Sequence, residues 1–309
     1  MDSKNISLDL DNEKKRRVAR LSVISNASLV IVKLIAGLLS GSIGILSEAI
    51  HSGIDLVASA IAYLSVKKSA CPPDECHAFG HGKYEDVSGL AEALLIFVAA
   101  VIIILEATDR LIIGPSIHSE ELLTLGILVM LLSAVVNWFV SAKLFEVGRE
   151  TGSIAIESDG WHLRTDVYTS AGVFLGLLVM KVTGIFAIDS VIAIVIAFVI
   201  IHTAWDLTKR SFSDLVDRSL PESDEEKIRQ IILSYCGENE SFHALKTRRS
   251  GPDRYVDFHM TVPPEMSVRD AHRLADEIEM RLKSEFLRIY ISIHIEPFQG
   301  DKGLCEGGK

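Results

Sequence analysis

The chain has 309 residues, 49% of them hydrophobic and 23% charged, with a formal net charge of −10. A mean hydropathy of +0.31, with the charges gathered into separate segments, marks a membrane protein and excludes a disordered or uniformly solvated chain. No basic, aromatic-laced surface is visible, so a nucleic-acid partner is not expected.

Residues 1–17 read as a cytoplasmic tail that ends in Lys14, Lys15, Arg16 and Arg17. The apolar stretch after it, 18–40, is long enough to span a bilayer and carries no small-residue cleavage signal. It is expected to be an anchor and not a signal peptide. Further apolar stretches near 44–66, 87–113, 120–145, 155–182 and 186–208 complete six expected transmembrane helices within 18–210. The connections carry turn signals: a glycine within 40–43, the loop 72–83, Gly114-Pro115, the region 148–152 and the segment 182–184.

Basic residues also follow the second span (Lys67, Lys68, Lys83), the fourth (Lys143, Arg149) and the sixth (Lys209, Arg210), while the loops after spans one, three and five lack such clusters. By the positive-inside rule both termini lie in the cytoplasm. Lys33, Arg110, Arg164 and Lys181 fall near or within spans. Snorkelling accounts for Arg110 and Lys181 readily and for Lys33 and Arg164 less well. Cys71, Cys76, Cys236 and Cys305 form no C-x-x-C pair, and reduced thiols are expected.

The pattern His-x-x-x-Asp occurs in two of the apolar segments, as His51 with Asp55 and as His162 with Asp166. Residues four apart share a helix face, so each pair offers an imidazole and a carboxylate to a common point. Span two starts on the far side of the membrane and span five on the near side, so antiparallel helices would join the pairs into a four-ligand site. Nitrogen and oxygen donors suit a tetrahedral divalent transition ion, zinc first, with cobalt, cadmium, iron and nickel harder to exclude. The competing reading is a buried histidine bonded to its own helix partner. Repetition argues against it, because ionisable groups at membrane depth are costly and mark transport paths. A further copy, His202 with Asp206, sits beside Lys209 and Arg210 at a span end and is read as an ordinary surface pair. Ser25, Asn26 and Asn137 are expected to bond neighbouring helices, and Asp189 is a further polar residue at membrane depth.

After Ser219 the pattern becomes that of a soluble domain. Pro221 and the acidic PESDEE predict a helix capped by Ser223, with Glu226 three residues on, running to about Tyr235. Alternating runs ALKTRRS and YVDFHMTV flank a turn at 250–253, a helix follows from about Val268 to Phe286, and IYISIHIEP closes the domain. The order αββαβ predicts a small sheet with both helices on one face. His243, His259, His272 and His294 recur here, with Glu296 on the same strand face as His294. On spacing alone these are either a second metal site or scattered surface histidines.

SGSIGILSEAIHSGIDLVAS, HAFGHGKYEDVSGL, ESDGWHLRTDVYTS, HALKTRRSG, VDFHM, AHRLADEIE and IHIEP together resemble the cation diffusion facilitators, among them the bacterial zinc/proton antiporters, over about residues 14–298. The resemblance implies a six-span transport domain at 18–210 and a ferredoxin-like cytoplasmic metal-binding and dimerisation domain at 211–298, with 299–309 expected as a flexible tail. It implies a homodimer in the inner membrane that exchanges cytoplasmic zinc for protons by alternating access. Zn2+ would be both substrate and a structural or regulatory ion.

Position by position, the resemblance places the transport site at His51, Asp55, His162 and Asp166, with His51 tilting selectivity toward zinc and cadmium. It places a loop site at Asp74, His77 and His81, and a binuclear site at His243, His259, His272, His294 and Glu296, where relatives usually carry aspartate at the last position. Lys83 and Asp217 match an interdomain charge pair. Two other classes compete with a transporter. An intramembrane metalloenzyme would want an H-E-x-x-H motif that the chain lacks. A membrane metal receptor would bind the ion in both domains and move none.

Overall fold

The computed structural model describes residues 3–40, 43–113, 120–183, 187–237 and 240–298. Cys305, the tail 299–309, the glycine turn after residue 40, Gly114-Pro115 and Gly184 lie outside the described residues, as do the side chains of Arg110, Lys181 and Asp189. The chain divides into two compact units, one formed by Leu10–Phe212 and one built on the segment from Ser213 onward.

The first unit contains the helices α1 (Ser3–Ser40), α2 (Ile43–Ser69), α3 (Lys83–Ile113), α4 (Glu120–Thr151), α5 (Ile154–Thr183) and α6 (Ala187–Leu215), the first and last of which extend beyond it. Among the described residues, five stretches are long and apolar enough to cross a membrane: Leu8–Leu39, Ala49–Ser69, Lys83–Asp109, Leu128–Thr151 and Ser190–Leu215. α5 has 30 residues; its first half holds Glu157, Asp159, Arg164 and Asp166, and its side chains from 173 onward lie outside the described residues.

Small residues let these helices approach closely, the usual device where lipid supplies no hydrophobic drive. Ala93, Ala100 and Ala204 are buried where α3 packs on α6 around Ile96 and Ile200. A second cluster joins α1, α2, α4 and α5 through Val18, Val66, Leu144, Ile156 and Leu163. At Gly160 an added Cβ would meet the Phe145 ring at 3.2 Å, and at Gly148 it would meet the Glu157 backbone nitrogen at 3.1 Å. The turn between α4 and α5 needs Gly152 in the left-handed region, at φ 64°. Outward faces remain apolar, with Leu39, Ile50, Leu105 and Phe139 exposed as lipid-facing side chains would be.

The second unit holds α7 (Glu222–Leu233), β1 (Ser241–Ser250), β2 (Asp253–Val262), α8 (Val268–Glu285) and β3 (Ile289–Pro297), the expected αββαβ order. The start of α7 differs from expectation. Pro221, not Ser223, is the N-cap, with no side-chain cap bond. The Pro221 carbonyl instead accepts from Asp224 and Glu225, because its fixed φ suits the edge of a helix and it sacrifices no N–H needed there. Ser267 caps α8 by accepting from the Asp270 backbone N–H.

The sheet order is β1-β2-β3, antiparallel between β1 and β2 and parallel between β2 and β3. Val256, Phe258, Met260 and Val262 of β2 point one way into a core with Ile228 and Ile232 of α7 and Ile278 and Leu282 of α8. Strand alternation therefore sends Tyr255, Asp257, His259 and Thr261 to the opposite face.

Candidate metal centre

In the helical unit the two His-x-x-x-Asp pairs meet. His51, Asp55 and Asp166 offer ligand atoms within 4.8 Å of one another, and His162 Nε2 lies 3.0 Å from Asp55 Oδ1. Asp55 and His162 are buried, whereas His51 is exposed. The close packing of α5 against α4 at Gly160, two residues before His162, helps to set the depth of this second pair. Two imidazoles and two carboxylates converging from two helices match the donor preferences of a divalent transition ion.

Neighbouring helices orient these donors, as partners of ligating groups do. Asn137 of α4 donates to Asp166 Oδ2 at 3.3 Å. Asn26 of α1 reaches the Asp55 carbonyl at 3.5 Å and donates to Ser59 Oγ at 2.9 Å. Sequence reasoning expected both asparagines to bond other helices but had no means of seeing that their partners are the candidate ligand Asp166 and the Asp55 turn. Ser25 only donates to the Ser22 carbonyl within its own helix.

The two unexplained intramembrane cations are also placed. Arg164 lies 4.0 Å from the centroid of Trp138 and 5.5 Å from that of Phe145, so two aromatic faces hold its charge. Lys33 is buried and donates to Ser52 Oγ at 2.8 Å. Neither snorkels.

A polar cluster absent from the sequence-based reading lies near the N-terminal ends of α3 and α5. Lys15, read from sequence as part of the cytoplasmic N-terminal tail, is only 1% exposed, and its ammonium sits 2.7 Å from the wholly buried Glu85 carboxylate. Ser69 and Ser153 donate to the same carboxylate. Asp159 and Glu92 are also fully buried, with the Ser22 hydroxyl beside Asp159 and Ser88 Oγ 3.5 Å from Glu92.

In the loop between α2 and α3, Asp74, His77 and His81 form a second cluster. Asp74 Oδ1 accepts from the His77 backbone at 2.7 Å, and this bond holds its carboxyl below the usual carboxylate range. His81 is buried, with Nε2 3.3 Å from Asp74 Oδ2 but without hydrogen-bond alignment on either ring nitrogen. Cys71 and Cys76 are free and exposed.

In the second unit strand register lines up the histidines. His243 pairs with His259 and His259 with His294 across adjacent strands, with ring centroids 5.1 and 4.8 Å apart. Glu296 sits among them, 2.9 Å from His259 Nδ1, 3.4 Å from His243 Nε2 and 3.5 Å from His294 Nε2. This arrangement is a row on the open sheet face, not a scatter of surface histidines, and its N/O donor set fits a divalent transition ion. His272 stands apart on α8, 3.7 Å from Asp276. Asp217 accepts from Arg248 at 3.1 Å, and Lys83 opens α3. His202 and Asp206 are exposed on α6, 3.7 Å apart, as a surface pair would be.

Comparison with known proteins agrees with this division. Residues 19–216 match the cation efflux transmembrane domain and residues 220–298 the cytoplasmic domain of cation efflux proteins. The chain is 32% identical over 287 residues to the uncharacterized transporter sll1263 of Synechocystis sp., covering 93% of this chain and 92% of that one. It is 30% identical over 290 residues to the cation-efflux pump FieF of Pectobacterium atrosepticum, covering 93% and 95% of the two chains. A solved chain titled "Mode of Action of a Putative Zinc Transporter CzrB" is 38% identical, with a TM-score of 0.25 over 26% of this chain and 99% of that one. With matches across both its membrane and its cytoplasmic parts, the chain belongs to the cation diffusion facilitator family of cation efflux transporters.

Proposed function

We infer that the chain exports a divalent cation, zinc first and cadmium, cobalt or iron next, in exchange for protons by alternating access. The observation that carries this reading is the convergence of His51, Asp55, His162 and Asp166 from α2 and α5 inside a helical unit rich in membrane-length apolar segments. The metal needs neutral imidazole and ionised carboxylate, so its arrival expels protons from the donors and their return weakens its hold. One site can thus carry both cargoes in turn.

In this reading α5 is the sixth span, its charged half shielded by α4 and by the site, and both termini face the cytoplasm of a bacterial inner-membrane protein. The αββαβ unit is a ferredoxin-like domain through which two copies assemble. His243, His259, His294 and Glu296 hold a structural or regulatory zinc there, and His272 adds a donor from the second copy. Lys83 and Asp217 form the interdomain charge pair, and the loop donors Asp74, His77 and His81 bind a further ion.

The test is zinc flux into proteoliposomes with and without an imposed proton gradient. Flux that follows the gradient, and falls at least about a hundredfold in Asp55→Ala and His162→Ala as loss of metal ligands requires, is the expected result. Zinc binding without flux in the unaltered protein would establish the membrane receptor instead. Flux surviving both substitutions would remove the four residues from the path.

A further inference from the structure

Arg164 is a cation of the helical unit that faces no anion. Its guanidinium lies 4.0 Å from the Trp138 centroid and 5.5 Å from that of Phe145. Its Nε is buried with no hydrogen-bond partner, and among the described residues no carboxylate pairs with it. The attraction of two aromatic faces falls well short of the cost of taking an unpaired charge out of water.

Helix pairing fixes the level of this charge. Gly148 faces the Glu157 backbone and Gly160 faces Leu144 and Phe145, and the same antiparallel pairing carried onward sets Arg164 opposite Ser141. Trp138 and Phe145 flank that level. Two residues nearer the turn between α4 and α5, Lys143 forms an exposed ion pair with Glu146, as groups in the polar layer of a membrane do. The guanidinium therefore sits about 3 Å of helix rise inside the edge of that layer, where tryptophan rings gather at membrane surfaces.

Beside it an open groove of about 230 Å3 is lined by Ala134, Val135, Trp138 and Phe139 of α4 and Val167 of α5. Falling numbers on α4 and rising numbers on α5 both lead away from the polar layer, so the groove runs inward from the cation. Val135, Trp138 and Phe139 are exposed. Trp138 belongs to both features, since it lines the groove and also carries the guanidinium. A cation at the polar edge with an apolar groove leading inward matches the two parts of a phospholipid in their order.

We propose that this groove binds one anionic phospholipid, its phosphate bonded to Arg164 and an acyl chain laid along the groove. A guanidinium offers a phosphate two parallel N–H donors, and basic pockets between membrane helices take anionic headgroups. A zwitterionic lipid carries its own ammonium beside the phosphate and fits a lone cation less well. With both termini in the cytoplasm, as proposed above, the lipid belongs to the cytoplasmic leaflet. Arg164 is two residues from His162 and two from Asp166, nearly on the opposite side of α5, so the lipid braces the donor-bearing helix from behind and touches no donor.

The test uses the full chain in nanodiscs, with Trp161 and Trp205 replaced by phenylalanine so that Trp138 alone reports. Phosphatidylglycerol or phosphatidylcholine, brominated on the acyl chain, is added at one mole fraction to an unbrominated mixture of the two, and quenching of Trp138 gives its occupancy of the groove. Phosphatidylglycerol is expected to occupy it about fivefold more strongly than phosphatidylcholine, the worth of one basic group at a lipid surface. Arg164→Gln is expected to remove that preference. Native mass spectrometry of the chain with all its tryptophans, titrated with both lipids, is expected to show the same preference and the same loss.

Equal quenching by the two lipids in the chain that keeps Arg164 overturns the proposal, since the groove then holds bulk lipid only. So does a preference that survives Arg164→Gln, which would credit Lys143 or Arg149. Quenching by neither lipid would mean that protein covers this face, a second copy of the chain included, and overturns it too. Arg164→Met, which keeps the unbranched stem, replaces Arg164→Gln should the latter not fold.

Discussion

Buried charges are where single residues matter most in this molecule. The Lys15–Glu85 pair is enclosed at 1% and 0% exposure and carries hydrogen bonds from Ser69 and Ser153. It ties the carboxylate that opens α3 to α1, to the end of α2 and to the turn before α5. Removing one partner of such a pair strands a charge, at a cost of about 3–5 kcal/mol, whereas replacing both with apolar groups of similar size is often neutral. Glu85→Leu alone should lower the unfolding temperature of the detergent-solubilised protein sharply. Lys15→Met combined with Glu85→Leu should recover most of the loss, as a fluorescence-monitored melt would read. Nothing in the spacing of Lys14, Lys15, Arg16 and Arg17 distinguishes the buried one, because four consecutive basic residues point around the whole helix.

At the scale of elements, the approach of α5 to α4 decides whether the donor pairs meet. Gly148 and Gly160 leave little room for a side chain, and Gly160 precedes His162 by two residues. Gly160→Val should push the helices apart and weaken zinc binding at the four-ligand site at least about tenfold, as displaced donors do at metal sites. Zinc bound at the histidine row of the sheet should be unaffected, and titration calorimetry on the full chain separates the two. The six apolar stretches were legible from length and composition, and five described helices satisfy both criteria. α5 was legible as a helix, and its first half combines the candidate donors with further charged residues at 157, 159 and 164.

Across the whole molecule the two units answer different chemistry and respond to different conditions. On the open face of the sheet Tyr255 stacks on Tyr290 at 5.0 Å, and Arg248 lies over Tyr255 at 4.6 Å. Partial burial, followed by nearby Asp253, pushes the Tyr255 phenol up to about 12, and the same causes raise Tyr290. A folded pKa above the unfolded value of about 10 means that the folded form binds the proton more tightly. The stabilisation is therefore complete below about pH 10 and is lost as pH rises toward 12. Circular dichroism melts of the full chain should show the strand-rich unit weakening across that window, with a smaller effect in Tyr255→Phe.

Sequence alone determined the features that act over a few residues: the two His-x-x-x-Asp faces, the αββαβ order and the alternation that puts His294 and Glu296 together. Helix and strand periodicities fix these without reference to the rest of the chain. Tertiary structure decided which elements meet. It buried Lys15 and Lys33, turned Asn26 and Asn137 toward the donor-bearing turns, aligned His243 with His259 and His294, and left His272 on a helix outside that row. The physical reason is that the direction of a side chain relative to a distant element depends on helix crossing and strand register, and packing against the rest of the molecule sets both.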